Sequence, residues 1–125
     1  MEEKKATFQF LGFRIVKSEI SLPKDALKNH ELHIEIEQNN GILNGVDYTH
    51  NMTVGIYNDD RTINIHVSAE GFFKFTESVS NVSTFTNVNA PAILFPYVRA
   101  YVSALTALSG IEPITLPTLN LSNRE

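Results

Sequence analysis

The sequence contains no cysteine and no tryptophan. Without thiols it has no disulfide framework, no thiolate zinc site and no cysteine nucleophile, and it suits a reducing compartment. Basic residues are sparse. Ten Lys and Arg stand against fourteen Asp and Glu, a formal net charge of −4, and Lys4-Lys5 is the one basic doublet. Phosphate contacts dominate nucleic-acid affinity and require a basic face, so neither nucleic acid nor an anionic membrane is an expected partner. The start, Met-Glu-Glu-Lys-Lys, runs directly into Phe8 and Phe10, unlike the basic and then apolar opening of a signal peptide. The longest apolar stretch, Ile93 to Leu108, is interrupted by Pro96, Arg99 and hydroxyl residues, which argues against membrane insertion. A cytoplasmic location follows as the expectation. There is no glycine-rich phosphate loop and no G-x-S-x-G elbow, and an enzymatic role or a cofactor is not expected. The length of 125 residues predicts one domain, 1–125.

Alternation fills the first two thirds. Phe13 and Ile15, then Ile20 and Leu22, are two apolar runs out of step with each other, which predicts a bulge or bend between Val16 and Glu19. Leu32, Ile34 and Ile36 alternate with His33, Glu35 and Glu37, the pattern of a half-buried strand. Met52, Val54 and Ile56 repeat it. Asn58-Asp59-Asp60 is a turn cluster, and Ile63, Ile65 and Val67 resume behind it, predicting a hairpin. Lys24 to Glu31 reads as a helical turn or a loop, and Gln38 to Gly45 as a loop. Connectors this short predict antiparallel pairing.

From Pro91 to Leu108 the period becomes helical. Leu94, Tyr97/Val98, Tyr101, Leu105 and Leu108 fall on one face, and Ala100, Ala104 and Ala107 form a second, small-residue strip. A helix apolar around most of its circumference is covered on more than one side, which predicts that another subunit packs on it. Pro96 lacks a backbone donor, so the regular helix is expected to begin there, and Gly110 is expected to stop it. Pro113 and Pro117 frame an extended apolar segment, Ile114 to Leu121.

The histidines offer no convincing site. His30 and His33 form H-x-x-H with Glu31 and Glu35 nearby, but zinc-protease spacing on a helix is different, and a solvated strand face explains the pattern. His50 and His66 have no evident partner. Aromatic loading stands out more, with eight Phe and four Tyr. Phe73 and Phe75 share a strand face and Phe72 takes the other. Aromatics on both faces mark either a packed core or an exposed apolar binding surface.

The run Ile93-Leu-Phe-Pro-Tyr-Val-Arg99 resembles the Ile/Val-Leu-Phe-Pro-Tyr-Ala/Val-Arg signature that opens the long helix of SecB export chaperones. Phe13-Arg-Ile-Val-Lys-Ser-Glu-Ile-Ser-Leu22 looks like the family's first strand, Gly71-Phe72-Phe73 like a Gly-Ile/Val-Phe step, and Pro113 to Leu121 like its Pro-rich segment. The matches run in the same order along nearly the whole chain.

The resemblance implies an α+β fold, a four-stranded antiparallel sheet with one long helix from the last third packed on it. It implies a homotetramer built as a dimer of dimers, and an ATP-independent holdase for unfolded polypeptide clients that passes secretory precursors to SecA. A related reading is a SecB-like chaperone dedicated to an antitoxin; a third is a non-enzymatic oligomeric scaffold. Candidate client-groove residues are Phe10, Phe13, Phe73, Phe75, Leu94 and Tyr97, each equally compatible with plain core packing. Glu19 matches an acidic SecA-facing position, whereas Pro23 and His66 stand where the family carries two others. Candidate oligomer-interface residues are Ile65, Val67, Ala100, Tyr101, Ala104 and Ala107.

Overall fold

A computed structural model describes residues 8–25, 31–39, 41, 43–76 and 85–118. In chain order it contains β1 (Phe8–Ser21), β2 (His33–Asn39), β3 (Leu43–Asn44), β4 (Asp47–Tyr57) and β5 (Asn64–Phe75). One turn of π-helix (Phe85–Asn89) then leads into α1 (Ala90–Leu108). The strands form one sheet in the order β1-β5-β4-β2, with β3 pairing to β4. Every pairing is antiparallel. The fold is therefore α+β, four long strands and one helix from the last third of the chain. The two-residue β3 is an addition inside the segment read as loop. The helical-turn-or-loop reading of Lys24 to Glu31 falls largely on residues 26–30, outside the described residues.

The strand alternation produces two chemically distinct sheet faces. Tyr48, His50, Met52, Val54 and Ile56 of β4 are buried on one face, with Ile65, Val67, Ala69, Phe73 and Phe75 of β5. The opposite face carries Glu19, His66, Gly55 and Glu35 in one cross-strand row, and Lys17, Ser68, Thr53 and Glu37 in the next. Tyr57 donates to Glu35 at 2.8 Å, His33 pairs with Asp59 at 2.7 Å and Arg14 with Glu70 at 3.0 Å.

β1 stays in register with the buried face through two bulges. The pairing skips Leu11 between Phe10 and Gly12, and skips Val16 between Ile15 and Lys17. The bulge at Val16 is where the sequence runs fall out of step. The one at Leu11 is enabled by Gly12, whose φ of 131° suits a residue without Cβ. The β4–β5 turn is held by Asn58, whose Oδ1 accepts from the Ile63 amide at 2.8 Å. Asp60 accepts from the Thr62 amide and hydroxyl, an Asx-type turn.

The helix lies on the apolar face. Leu94, Val98, Val102 and Thr106, an i, i+4 row, are fully buried, with Phe95 beside them. Leu94, Phe95, Val98 and Val102 join Met52, Val54, Ile56, Ile63, Ile65, Val67, Ala69 and Leu116 in the largely aliphatic core, where each large side chain contributes about 1.5–3 kcal/mol. Leu108 is not on the buried side; it is 88% exposed. The buried row winds round the helix because its last turns are covered by the returning segment rather than by the sheet. Ser103 donates to the Ile114 carbonyl, the Ile114 amide donates to Thr106 Oγ1, and Leu116 enters the core. The end of that segment, Leu119 to Leu121, lies outside the described residues.

Two expectations about the helix ends meet different outcomes. The regular helix does not begin at Pro96, which lies inside it. Pro91, in the first turn, starts the helix, where a missing donor costs nothing. Pro96 removes the bond to Ala92, and both residues are exposed. At the other end Gly110 (φ 96°) follows the C-cap Ser109. The Gly110 amide bonds to Ala107 and the Ile111 amide to Thr106, a Schellman closure. By length and composition alone Phe85–Leu108 is sufficient to cross a membrane, with 33% of its apolar window buried; here its buried row packs on the sheet.

Candidate functional site

Aromatic side chains converge where β1 passes the N-terminal half of α1. Phe10 and Phe13 point from β1 toward the helix, which presents Tyr97. The Tyr97 ring stacks on Phe13 at 4.8 Å and on Phe10 at 5.5 Å. Phe13 is 39% and Tyr97 42% exposed, and the two bulge residues Leu11 and Val16 are 53% and 49% exposed. Four of the large exposed hydrophobic residues thus belong to β1 or face it. Exposed apolar residues gathered along one strand make this the candidate binding surface, whereas residues scattered singly would not.

The rings continue inward. Phe10 meets Phe73 at 5.3 Å, and Phe73 meets Phe85 at 5.1 Å in an edge-to-face contact. Phe85 also sets its ring edge-to-face with Phe8, Tyr48 and Phe75. Tyr48, Phe73, Phe75, Phe85 and Ala90 form a second core, flanked by Phe8, Phe10, Leu43, Val46 and Ile93. Pairs of this geometry add about 0.5–1.5 kcal/mol each beyond area burial.

The six candidate groove residues therefore separate. Phe10, Phe13 and Tyr97 form the partly open aromatic file. Phe73, Phe75 and Leu94 are 1%, 2% and 0% exposed and are core residues, a correction to their reading as groove lining. Phe73 and Phe75 are roofed by Phe85, and Leu94 is roofed by the body of its own helix against Gly71. Strand alternation predicts which face a residue takes, but does not tell what covers that face. Phe85 escaped the sequence reading because it sits in a polar run without periodicity. Leu11 and Val16 escaped it because bulge residues break the alternation that was used to find sites. The odd Phe10–Phe13 spacing around Gly12 was the available signal.

The interface candidates separate in the same way. Ile65 and Val67 lie under α1 within the aliphatic core, 1% and 0% exposed, and are not available to another chain. Ala100, Ala104 and Ala107 are exposed along the outer side of α1. Tyr101 is partly buried and donates to Ser18 Oγ of β1 at 2.8 Å. Glu19 is exposed on the polar face, 3.9 Å from Lys17 Nζ.

The histidines take structural places. His50 is fully buried, a correction to its reading as partnerless: Nδ1 is 2.8 Å from Tyr48 Oη and Nε2 is 2.8 Å from Gln38 Oε1. Burial pushes the Tyr48 phenol up, opposed by a hydrogen bond from the Gly41 backbone. Gly41 packs so closely on the Thr49 carbonyl that a Cβ would overlap it. The exposed Tyr57 phenol is also raised, chiefly because its proton is shared with Glu35. His66 is on the polar face with a sealed Nδ1 that has no hydrogen-bond partner among the described residues, and His30 lies outside the described residues. At the β4–β5 turn, an open cavity of about 390 Å³ is lined by Asp25, Glu31, Asp59 and Asp60 among others. Two of its carboxylates are engaged in turn and surface contacts, Asp59 with His33 and Asp60 with Thr62.

Comparison with known proteins gives a consistent result. The family profile described as preprotein translocase subunit SecB matches residues 11–123. An uncharacterized protein of Methanocaldococcus jannaschii is 35% identical over 97 residues, which cover 75% of this chain and 63% of that protein. The chain thus spans less than two thirds of that relative. Among solved structures, a Mycobacterium tuberculosis SecB-like chaperone in complex with a ChAD peptide from the HigA1 antitoxin superposes with a TM-score of 0.74 at 14% identity. The match covers 90% of this chain and 88% of that one. A Streptococcus agalactiae protein of unknown function superposes with a TM-score of 0.54 at 10% identity, covering 92% and 100%.

Proposed function

The chain belongs to the SecB family, and from that premise we propose that it is an ATP-independent holdase for unfolded polypeptide. The observation that carries this reading is the partly exposed, stacked aromatic file Phe10–Tyr97–Phe13, with the exposed Leu11 and Val16 on the same strand. An unfolded client presents apolar side chains, and covering them gains about 25 cal/mol per Å² without requiring a defined sequence. The edge of β1 away from β5 has no neighbour among the described strands, and a client strand added there would gain main-chain hydrogen bonds. No catalytic step is part of this role.

The full reading is a cytoplasmic holdase that keeps secretory precursors competent for SecA-dependent export, with Glu19 toward SecA. Its assembly is a homotetramer, built through the exposed Ala100, Ala104 and Ala107 strip and Tyr101. Several client surfaces on one assembly convert weak contacts into tight holding. A second reading, a chaperone dedicated to one antitoxin, is favoured by the peptide held by the Mycobacterium tuberculosis relative.

The test is binding of one secretory precursor, unfolded and native, to an excess of the protein without ATP. Selective binding of the unfolded form with delayed folding supports the holdase. Equal binding to both forms, or to neither, removes the general holdase and leaves the dedicated chaperone or a scaffold. Light scattering of the protein alone, against an Ala104→Arg variant, checks the assembly.

A further inference from the structure

Among the described residues His50 is the one histidine that is fully buried, and the hydrogen bonds around it run in one direction. The Gly41 amide donates to Tyr48 Oη, so the phenolic proton is left to point at His50 Nδ1, 2.8 Å away. Nδ1 is therefore the bare nitrogen. Nε2 carries the ring proton and donates it to Gln38 Oε1 at 2.8 Å. Gln38 conforms to this arrangement even though its Nε2 is sealed without a hydrogen-bond partner among the described residues. Turning the amide round would set its N–H groups against the His50 Nε2–H, donor against donor.

The surroundings suit a neutral ring. His50 meets Tyr48 on its own strand and Gln38 on β2. Its cross-strand neighbour on β5 is Gly71, and Leu94 of α1 closes over Gly71. Tyr48 is the titratable group of these four, and burial keeps its phenol protonated; none of the four brings a negative charge. A charged imidazole has N–H on both nitrogens. At His50 the second N–H would meet the Tyr48 O–H, and a phenol already accepting from Gly41 would have to turn its proton away from its partner. A buried charge without a counter-charge is costly as well.

These bonds also have a place in the fold. Gln38 lies near the end of β2, and Gly41 stands between β2 and β3, packed on the Thr49 carbonyl. β3 is two residues long and pairs with β4 through Leu43–Tyr48 and Asn44–Asp47. Two ladder pairs hold little by themselves, so the side-chain bonds of Tyr48 and His50 are a large share of what fixes Gly41 and β3 on β4.

We propose that Gly41, Tyr48, His50 and Gln38 form an acid-sensitive latch. While His50 is neutral the latch holds Gly41 and β3 on β4. A proton taken up at Nδ1 breaks the bond from Tyr48, and Gly41 and β3 lift away while the β4–β5 ladder stays paired. The inference goes beyond the holdase reading and does not depend on it. The unfolded chain takes up this proton in the ordinary histidine range, about pH 6.5, and the latched chain does not. Stability conferred by the latch is therefore complete above that range and is lost as pH falls below it.

The test compares wild type with His50→Gln, whose amide can accept from Tyr48 and donate to Gln38 but does not titrate. Between pH 7 and pH 5 the wild-type folding equilibrium falls relative to the variant, by up to about tenfold per pH unit; parallel curves overturn the proposal. Hydrogen exchange, corrected for its intrinsic pH dependence, locates the opening. Protection of the Gly41 amide drops in wild type at pH 5 and not in His50→Gln, while Val54 and Val67 keep theirs. Equal loss at all three positions is global unfolding and overturns the latch. If His50→Gln does not stay folded, imidazole nitrogen NMR of the wild type decides. The expected result is a bare Nδ1 at pH 7 and Gly41 protection lost in step with its protonation. A bare Nε2 at pH 7, or a protonated Nδ1 with Gly41 still protected, overturns the proposal.

Discussion

The covered face of the sheet is divided between two kinds of packing. Under the middle of α1 the contacts are aliphatic, built on Val54, Ile56, Ile65, Val67, Leu94, Val98 and Val102, and closed by Leu116 from the returning segment. Under the helix start they are aromatic, and that half opens to solvent through Phe8, Phe10, Phe13 and Tyr97. Branched aliphatic side chains interlock at high density and reward complete closure. Aromatic rings keep favourable edge and face contacts even when one side is open. The aliphatic half is therefore fully closed, and the aromatic half is the part that leaves apolar surface open to solvent.

That contrast is open to direct challenge. Leu94→Ala is expected to give the largest effect, about 3 kcal/mol less stability by urea unfolding, with client affinity unchanged once the variant is folded. A matching loss of client affinity would mean that the aliphatic half also serves binding. Tyr97→Ala is expected to do the reverse. It weakens unfolded-client binding about tenfold, or ~1.4 kcal/mol, and moves the unfolding midpoint little, because the ring is 42% exposed.

Tyr48→Phe is next in size. At neutral pH it removes the hydroxyl shared with His50 and costs about 1 kcal/mol. It also changes the alkaline limb. Burial holds the folded phenol above its ordinary 10.0, so above that pH the unfolded chain gives up the proton while the folded chain keeps it. Stability conferred by Tyr48 is complete below pH 10 and declines as pH rises through the folded value. Thermal midpoints between pH 8 and 11 fall less steeply in Tyr48→Phe than in wild type. The smallest effect is Arg14→Gln on the polar face, within about 0.5 kcal/mol, since the Arg14–Glu70 pair is largely exposed.

Much of this architecture is written in local pattern. Val54 and Ile56, and Ile65 and Val67, alternate so regularly that both strands and the hairpin between them follow from period and turn chemistry, and Gly110 announces its left-handed stop. What period cannot report is the third dimension. Leu94 and Tyr97 are three residues apart on one helix, yet one is sealed and the other stacked at the surface, because the sheet lies under one and the rim of β1 beside the other. Phe73 and Phe85 are separated by a stretch with no readable pattern, so their edge-to-face contact was invisible. Pro96 misled for a related reason: a missing donor breaks a helix only where packing does not hold it, and the buried Leu94, Phe95 and Val98 hold it on both sides.

The two extra residues of β1 have a consequence for how this surface is encoded. Leu11 and Val16 act as frame corrections in a two-residue code. Phe10 and Phe13 stand an odd number of positions apart and still look the same way only because Leu11 is counted out between them. Were Leu11 paired into the ladder instead of passed over, strict alternation would turn Phe8 and Phe10 outward onto the charged face, while Phe13 and everything after it stayed in place. The aromatic file would be broken, with every aromatic residue still present in the chain. Composition supplies the rings, but a single unpaired position in an edge strand indexes them to one side.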